Sequence, residues 1–455
     1  MKWIPPFKSS ISFVSVFIGL FLFFGILGFS QTSPTIVFGD TTSDIQEKIA
    51  EQNAKIAALE KEIAQYESTL YQIAGEKTTL QGEVNRIDVS RKKIGATISV
   101  TENKIASATL QLKRLGGAID DKAKRIETSK KTMEQSFQAL YQMGETTIVE
   151  QLLSADRMIE AWQEVDRVEQ LSGALRNEVI DLQTTKESLT VDYSATEKEK
   201  IKLLSLKKQL SDQKILLDQN RNEQATLLSQ TKNKESAFQK LLADKQAAKA
   251  QFEKQLNDYE ASLKYTLDPT SIPKAGSGVL SFPLDGAFML RCRDRANTFK
   301  NIYCLTQYFG NTAFAQSGAY NGKGHNGVDF GAPEGTPIVS ALGGVVVDTG
   351  NTDLFPGCYS YGKWVYIRHD NGLGTLYSHL SVISVSKGST VGTGTLLGYS
   401  GKTGYATGPH LHFSVYVASA VKIIKLGDVK SITKCGGAYM PVAPTEAYLN
   451  PMKYL

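Results

Sequence analysis

The sequence predicts a multidomain chain in two unlike parts, a long α-helical coiled coil followed by a compact, mostly antiparallel β domain. Three observations carry this. Residues 41–263 contain no proline and few glycines, and their apolar positions recur every seven residues. Beyond residue 264 the pattern changes to short apolar runs punctuated by glycine and proline. All five histidines lie in this second part, between His325 and His412. At 455 residues the chain also exceeds the usual size of a single core.

The N-terminus reads as an export element, a signal peptide or membrane anchor over residues 1–30. Lys2 and Lys8 precede an uncharged run at 11–29, and the small residues Gly28 and Ser30 offer a cleavage site before Gln31. The run is long for a signal core and slightly short for a span, so a cleaved signal and a retained single anchor both fit. Either use places the rest of the chain outside the cytoplasm. The cysteines agree: Cys292, Cys304, Cys358 and Cys435 lack the two-residue spacing of a zinc knuckle, and disulfides imply an oxidising compartment. Of three full pairings, proximity and elimination select Cys292 with Cys304 and Cys358 with Cys435. A net charge of +5 suits approach to an anionic wall or membrane surface. No dense basic stripe with interleaved aromatics accompanies it, so nucleic-acid binding lacks support.

The coil is expected over residues 41–264. Ile49, Ile56, Ile63, Leu70, Val84, Ile98, Ile105, Leu112 and Ile119 hold one heptad phase. Leu59, Tyr66, Ile73, Leu80, Ile87, Ile94 and Leu115 hold the other, with Lys77, Arg91, Gln52 and Thr101 as interruptions. A second seam runs through Val168, Leu175, Leu182, Leu189, Leu203, Leu210 and Leu217. Between them, near 137–162, Gly144 stops a helix, Ser154 and Asp156 can cap short ones, and apolar density suggests a small helical knot. Two arms of roughly 100 residues, each reaching about 150 Å if unbroken, could fold back as an antiparallel hairpin or pair with another chain. The seam serves a spacer and oligomerisation rod as well as it serves a regulatory arm.

Residues 265–280, with Asp268, Pro269, Pro273 and several glycines, read as a linker. The β domain follows at 281–455, with strand-like runs at 343–347, 364–368, 375–380, 395–399 and 411–417. His410 and His412 alternate with Leu411, Phe413 and Val415, which puts both imidazoles on one face of a strand and an apolar anchor on the other. His325 and Asp329, four apart with Gly324 and Gly327 beside them, suit a tight turn entering an extended segment. Two imidazoles and a carboxylate suit zinc, and a catalytic zinc needs three protein ligands and an open position. His379, in LYSHLS, can then stand over the ion as a free base, which makes the set that of a hydrolase. His369 fits a turn or the rim better, and Asp285, Asp348 and Asp370 rank below Asp329 as ligands because they adjoin predicted turns.

The stretches GHNGVDFGAPEGTPIVSALGGVV and YGKWVYIRHDNGLGTLYSHLSVISVSKGSTVGTGTLLGYSGKTGYATGPHLHFSV resemble the lysostaphin-type, or LytM-like, zinc endopeptidases that cut peptide bonds in bacterial peptidoglycan. The similarity covers about residues 281–455. It implies that His325, Asp329 and His412 hold Zn2+, and that His379 and His410 serve the catalytic step. The coil, with its interruption LYQMGETTIVEQLLSADRMIEAW, is similar to cell-division murein hydrolases and hydrolase activators. That likeness implies control through the coil by an ABC-type transporter complex at the division site. Some activators of that kind lack zinc ligands, whereas this chain keeps the whole set, which favours catalysis. The insert FMLRCRDRANTFKNIYC and the loop DLFPGCYSYG depart from the family pattern and would reshape the groove walls. The expectation is a zinc metalloendopeptidase of peptidoglycan, weakly active while its arm occludes the groove. The competing readings are a non-enzymatic amidase activator and a wall-binding structural protein.

Overall fold

A computed structural model gives the structure of the chain and describes residues 42–74, 78–143, 158–263, 265–266, 268–284, 305–311, 324–429 and 433–455. The apolar run at 11–29, most of the interruption between the arms, Asp285, and the insert bearing Cys292 and Cys304 lie outside these. Among the described residues no helix is long and apolar enough to cross a membrane.

Among the described residues four helices form the coil: α1 (Thr42–Ala74), α2 (Leu80–Met143), α3 (Met158–Thr231) and α4 (Glu235–Ser262). The arms fold back on each other within one chain. Arg86 meets Glu223, Lys122 meets Asp192 at 2.6 Å, and Arg125 meets Asp181 at 2.7 Å, so numbers rise on α2 as they fall on α3. The first arm is not one continuous helix. It ends at Ala74 and doubles back, and α1 runs antiparallel along α2, with Lys93 3.3 Å from Glu67 and Lys104 3.7 Å from Glu60. Thr79 caps the new start by accepting from the Gly82 amide at 3.0 Å. The second arm breaks as well, at Lys232 and Asn233, whose φ angles of 49° and 57° turn the chain from α3 into α4. Glu235 at the start of α4 accepts from the Leu80 amide at 2.8 Å, so the two new helix starts are tied together.

Thr101, counted as an interruption, lies in the seam. With Leu80, Ile87, Ile94 and Ala108 it is buried between helices, and its hydroxyl donates to the Thr97 carbonyl at 3.0 Å. On α3 the face that carries the leucine seam also carries Thr185, Asp192, Gln213 and Asn220, all polar.

The C-terminal part is an antiparallel sheet in the order β1 (Leu305–Gln307), β2 (Val328–Gly331), β9 (His410–Val417), β6 (Leu373–Ile383), β5 (Lys363–Arg368), β4 (Gly344–Asn351) and β7 (Thr390–Val391), with β12 (Tyr448–Leu449) on β9, β8 (Leu396–Ser400) pairing both β3 (Pro337–Val339) and β6, and β10 (Lys422–Lys425) pairing β11 (Tyr439–Val442) apart from it. Its central strands are β2 (Val328–Gly331), β9 (His410–Val417), β6 (Leu373–Ile383) and β5 (Lys363–Arg368). One face packs Val328, Phe330, Leu373, Leu411, Phe413 and Val415 into a dry core. The other buries Trp364, Tyr366, Leu376 and Tyr416 beside the Cys358–Cys435 disulfide, whose Cα atoms are 4.6 Å apart. Residues 268–280 run along this domain: the Gly276 amide donates to the Lys453 carbonyl at 2.6 Å, and Leu280 enters the core.

The coil is seated on the sheet domain at two places. Ile94 and Leu216 pack on Val382 and Tyr399, flanked by ion pairs of Glu83 with Lys402 and of Arg86 with Glu334. Further along, Phe252 and Leu256 of α4 join the second core.

A candidate metal centre under the last helix

The sheet brings the ligand-type residues together by strand pairing. His325 bridges Gly310 at the entry to β2, and Asp329 pairs directly with His412 across β2 and β9. The His325 Nε2 and His412 Nδ1 atoms are 3.0 Å apart, and Asp329 Oδ1 lies 3.3 Å from the first and 2.9 Å from the second. All three residues are buried. The outer nitrogens are engaged elsewhere: His325 Nδ1 faces the Tyr308 carbonyl at 3.1 Å, and His412 Nε2 faces the Ser414 hydroxyl at 2.9 Å. A carbonyl only accepts, so His325 carries its proton on Nδ1 and turns the Nε2 lone pair inward. Burial, against the pull of Asp329, lowers His412 to about 4, so its imidazole is neutral as a ligand must be. Burial would raise Asp329, yet His325 and His410 hold it well below the usual carboxylate range. Two imidazoles and one carboxylate, converging with the outer ring nitrogens engaged elsewhere, fit a divalent zinc-type ion.

Gly327 makes this convergence possible. A Cβ there would meet the Phe413 carbonyl oxygen at 2.6 Å and His412 Cε1 at 2.9 Å, so any side chain would push on the His412 ring.

His379 and His410 stand beside the cluster. Lys363 pairs with Leu380 and Val365 with Tyr377, which gives β6 one extra residue, a bulge that contains His379. Its φ of 61° is left-handed, and its amide is held by the Tyr361 carbonyl at 2.9 Å. The bulge re-aims the imidazole: its ring lies 4.6 Å from that of His410 and 6.0 Å from that of His412, between centroids. His379 Nδ1 donates to the Thr403 carbonyl at 2.8 Å and His410 Nδ1 to the Gly408 carbonyl at 2.8 Å. Each ring therefore leaves its Nε2 outside these anchors, and His410 Nε2 is 3.8 Å from Asp329 Oδ2. Burial and then the neighbouring His410 and His412 depress His379 well below its usual value, so it is unprotonated at neutral pH.

The remaining sequence candidates lie apart. His369 is buried with Nδ1 on the Gly343 carbonyl at 2.9 Å and Nε2 2.8 Å from the Thr375 hydroxyl, a structural role within the sheet. Asp348 pairs with Lys387 at 2.9 Å. Composition did not point to Ser414 and Thr403 as holders of His412 and His379, nor to Tyr361, whose ring lies 5.9 Å from the His412 ring and whose hydroxyl accepts from Asn326 at 3.2 Å. Ser414 had a readable signal, since it shares the strand face of His412 two residues on.

The cleft around these histidines has α4 for its roof. Lys249, Phe252, Glu253, Leu256 and Asn257 line it, leaving a volume of ≈ 100 Å³. Pockets that hold drug-sized ligands are several times larger.

Residues 323–423 match Peptidase family M23. The DD-carboxypeptidase/endopeptidase Mpg of Neisseria meningitidis serogroup B is 42% identical over 93 residues, 20% of each protein. The peptidoglycan DD-endopeptidase ShyA of Vibrio cholerae serotype O1 is 47% identical over 93 residues, again 20% of each. The glycyl-glycine endopeptidase ALE-1 of Staphylococcus capitis is 39% identical over 94 residues, 20% of this chain and 25% of that one. The chain thus spans only about a fifth to a quarter of the length of these relatives. The C-terminal part of this chain, behind its helical arms, thus carries a domain of the peptidase family M23 type over residues 323–423.

Proposed function

We propose that the chain is a zinc-dependent endopeptidase acting on peptide cross-links or stem peptides of bacterial peptidoglycan outside the cytoplasm, and that its coil holds it closed. The observation that carries this reading is the convergence of His325 Nε2, Asp329 Oδ1 and His412 Nδ1 beside two histidines with free Nε2 atoms. The names of the peptidoglycan endopeptidases similar to this domain support the choice of substrate.

In this reading His325, Asp329 and His412 hold the ion, which when bound polarises the scissile carbonyl and activates water. His379, unprotonated and with its Nδ1 anchored on Thr403, accepts the proton at Nε2. His379 then passes that proton to the leaving amine, while His410, anchored on the Gly408 carbonyl, would meet the charge that develops on the substrate oxygen with a proton on its Nε2. The buried Asp329 carboxylate beside both rings stabilises the imidazolium formed in transit. Residues 1–30 serve as the export signal or anchor, residues 265–280 join coil to catalytic domain, and the coil is where a division-site transporter complex or a second copy would act. Helix α4 occupies the cleft until the coil is pulled or twisted away.

Purified sacculi provide the test. A full-length variant with α4 displaced by Phe252→Asp should bind one zinc and release muropeptides, while the wild-type chain releases at least tenfold fewer. Stoichiometric zinc without any release by the opened variant would overturn the endopeptidase reading. If the same variant instead stimulated a wall amidase, the chain would be a non-enzymatic activator.

A further inference from the structure

Helix α4 brings more than bulk into the cleft. Phe252 and Leu256 fill the apolar floor, but one side of the helix lays two ammonium groups on two aromatic rings. Lys249 Nζ lies 4.5 Å from the centroid of the Tyr405 ring, and Lys245 Nζ lies 5.8 Å from that of Tyr359. Both tyrosines line the same cleft as His379 and His410. Lys245 and Lys249 are one helical turn apart, so their side chains leave the helix in one direction. Tyr359 belongs to the loop closed by the Cys358–Cys435 disulfide, and Tyr405 follows Gly404, whose φ of 69° and close approach to the Ser360 carbonyl fix that loop against the first. The two rings are thus part of a braced rim. A ring face attracts a cation through its quadrupole, and more strongly where water is excluded. Lys249 also lies 3.3 Å from Glu253, so Tyr405 shares the ammonium with a carboxylate of the helix itself. That carboxylate leaves with the helix and the tyrosines stay.

We infer that Tyr405 and Tyr359 form a cation-accepting rim of the substrate cleft, which receives a primary ammonium group carried by the peptide to be cut, and that Lys249 and Lys245 occupy it while α4 is in place. This rests on the reading of the cleft as a peptidase site and adds a preference within it: among wall peptides, those with a free side-chain amine near the scissile bond bind best. The ordinary alternative is that both lysines lie along the rim only to reach water with their charged ends. In that case the tyrosines have no preference for charge.

The experiment compares two soluble peptidoglycan peptide dimers, one with its free side-chain amine and one with that amine acetylated. Binding is measured by titration calorimetry on the full chain carrying Phe252→Asp to open the cleft and His379→Ala to stop turnover. Acetylation is expected to weaken binding roughly three- to thirtyfold, the range of one cation–ring contact. Tyr405→Leu should cost the free-amine peptide a similar factor and the acetylated peptide little, while Tyr405→Trp should keep or increase the preference. Equal affinity for the two peptides, or equal weakening of both by Tyr405→Leu, overturns the inference. Cleavage by the Phe252→Asp chain with His379 intact is read separately. Preference in binding without cleavage upholds the rim and sinks the peptidase reading, whereas cleavage without preference does the reverse. Binding of neither peptide overturns the rim outright.

Discussion

Four histidines occupy one site, and their anchors rather than their residue type give them different tasks. His412 has its outer nitrogen on Ser414 and its inner one within 3.0 Å of His325, whereas His410 has its inner edge turned to the second oxygen of Asp329. His412→Ala is therefore expected to lose both zinc and activity, and His410→Ala to keep near-stoichiometric zinc while turnover falls by about 10²–10⁴-fold, the usual scale of a general acid–base group. Metal analysis by mass spectrometry beside the sacculus assay checks this, and equal zinc loss in the two variants would mean the ligands are misassigned. Gly327→Ala should behave like a milder His412→Ala, since its methyl would have to displace the His412 ring or the Phe413 carbonyl. Much of this site was legible in the sequence because strand alternation is simple: His410, His412 and Ser414 share a face wherever the strand pairs. The bulge at His379 was not legible, because its extra residue depends on the register of β5 against β6, which neither strand encodes alone.

At the scale of the element, the proposed closure of the site rests on α4, which lines the cleft. Its hold on the domain combines Phe252 and Leu256 in the apolar floor with Glu260, a buried carboxylate that accepts from the Tyr448 hydroxyl. Burying one such apolar side chain contributes about 1.5–3 kcal/mol. Phe252→Ala should then raise the open fraction, and with it wall cleavage, by roughly 10–100-fold, measured as initial rate against sacculi. No change in rate would show that α4 leaves the cleft freely in the native chain. The periodicity of α1 to α3 was readable, yet both breaks that create this element were missed. The first falls between Ala74 and the capping Thr79 inside an otherwise regular seam, and the second rests on left-handed Lys232 and Asn233, residues that a heptad count treats as ordinary surface. Part of the α3 seam was likewise hidden, since Thr185, Gln213 and Asn220 are buried polar side chains that leave no hydrophobic signal.

Over the whole molecule, the coil and the sheet domain meet through a charge cluster of opposed pH responses. Burial would raise Glu83, but Lys402 and Arg86 outweigh it and hold the carboxyl at about 2, so the contribution of Glu83 to docking is complete above the usual carboxylate range and fades only in strong acid. Glu334 goes the other way: burial and the nearby Glu223 push it up to about 7 against Arg86, Asn220 and Lys402. Undocking returns Glu334 to water and to its ordinary value of 4.5, so between pH 4.5 and 7 the closed form binds a proton that the open form releases. Closure is thus favoured at the acid end of this window and loses that advantage as the pH rises through 7. Because Glu235 ties the start of α4 to Leu80 at the start of α2, loosening this junction also loosens the roof of the cleft. Hydrogen exchange along α4 should therefore quicken by at least tenfold between pH 5 and 7.5, after correction for the intrinsic exchange rate. Glu334→Gln, neutral throughout, should keep α4 protected across the range and hold wall cleavage low at pH 7.5. The exchange measurement separates this from titration of the catalytic histidines, which changes turnover without moving a helix. A corrected exchange rate with the same pH slope in the wild-type and Gln chains would remove Glu334 from the control of closure.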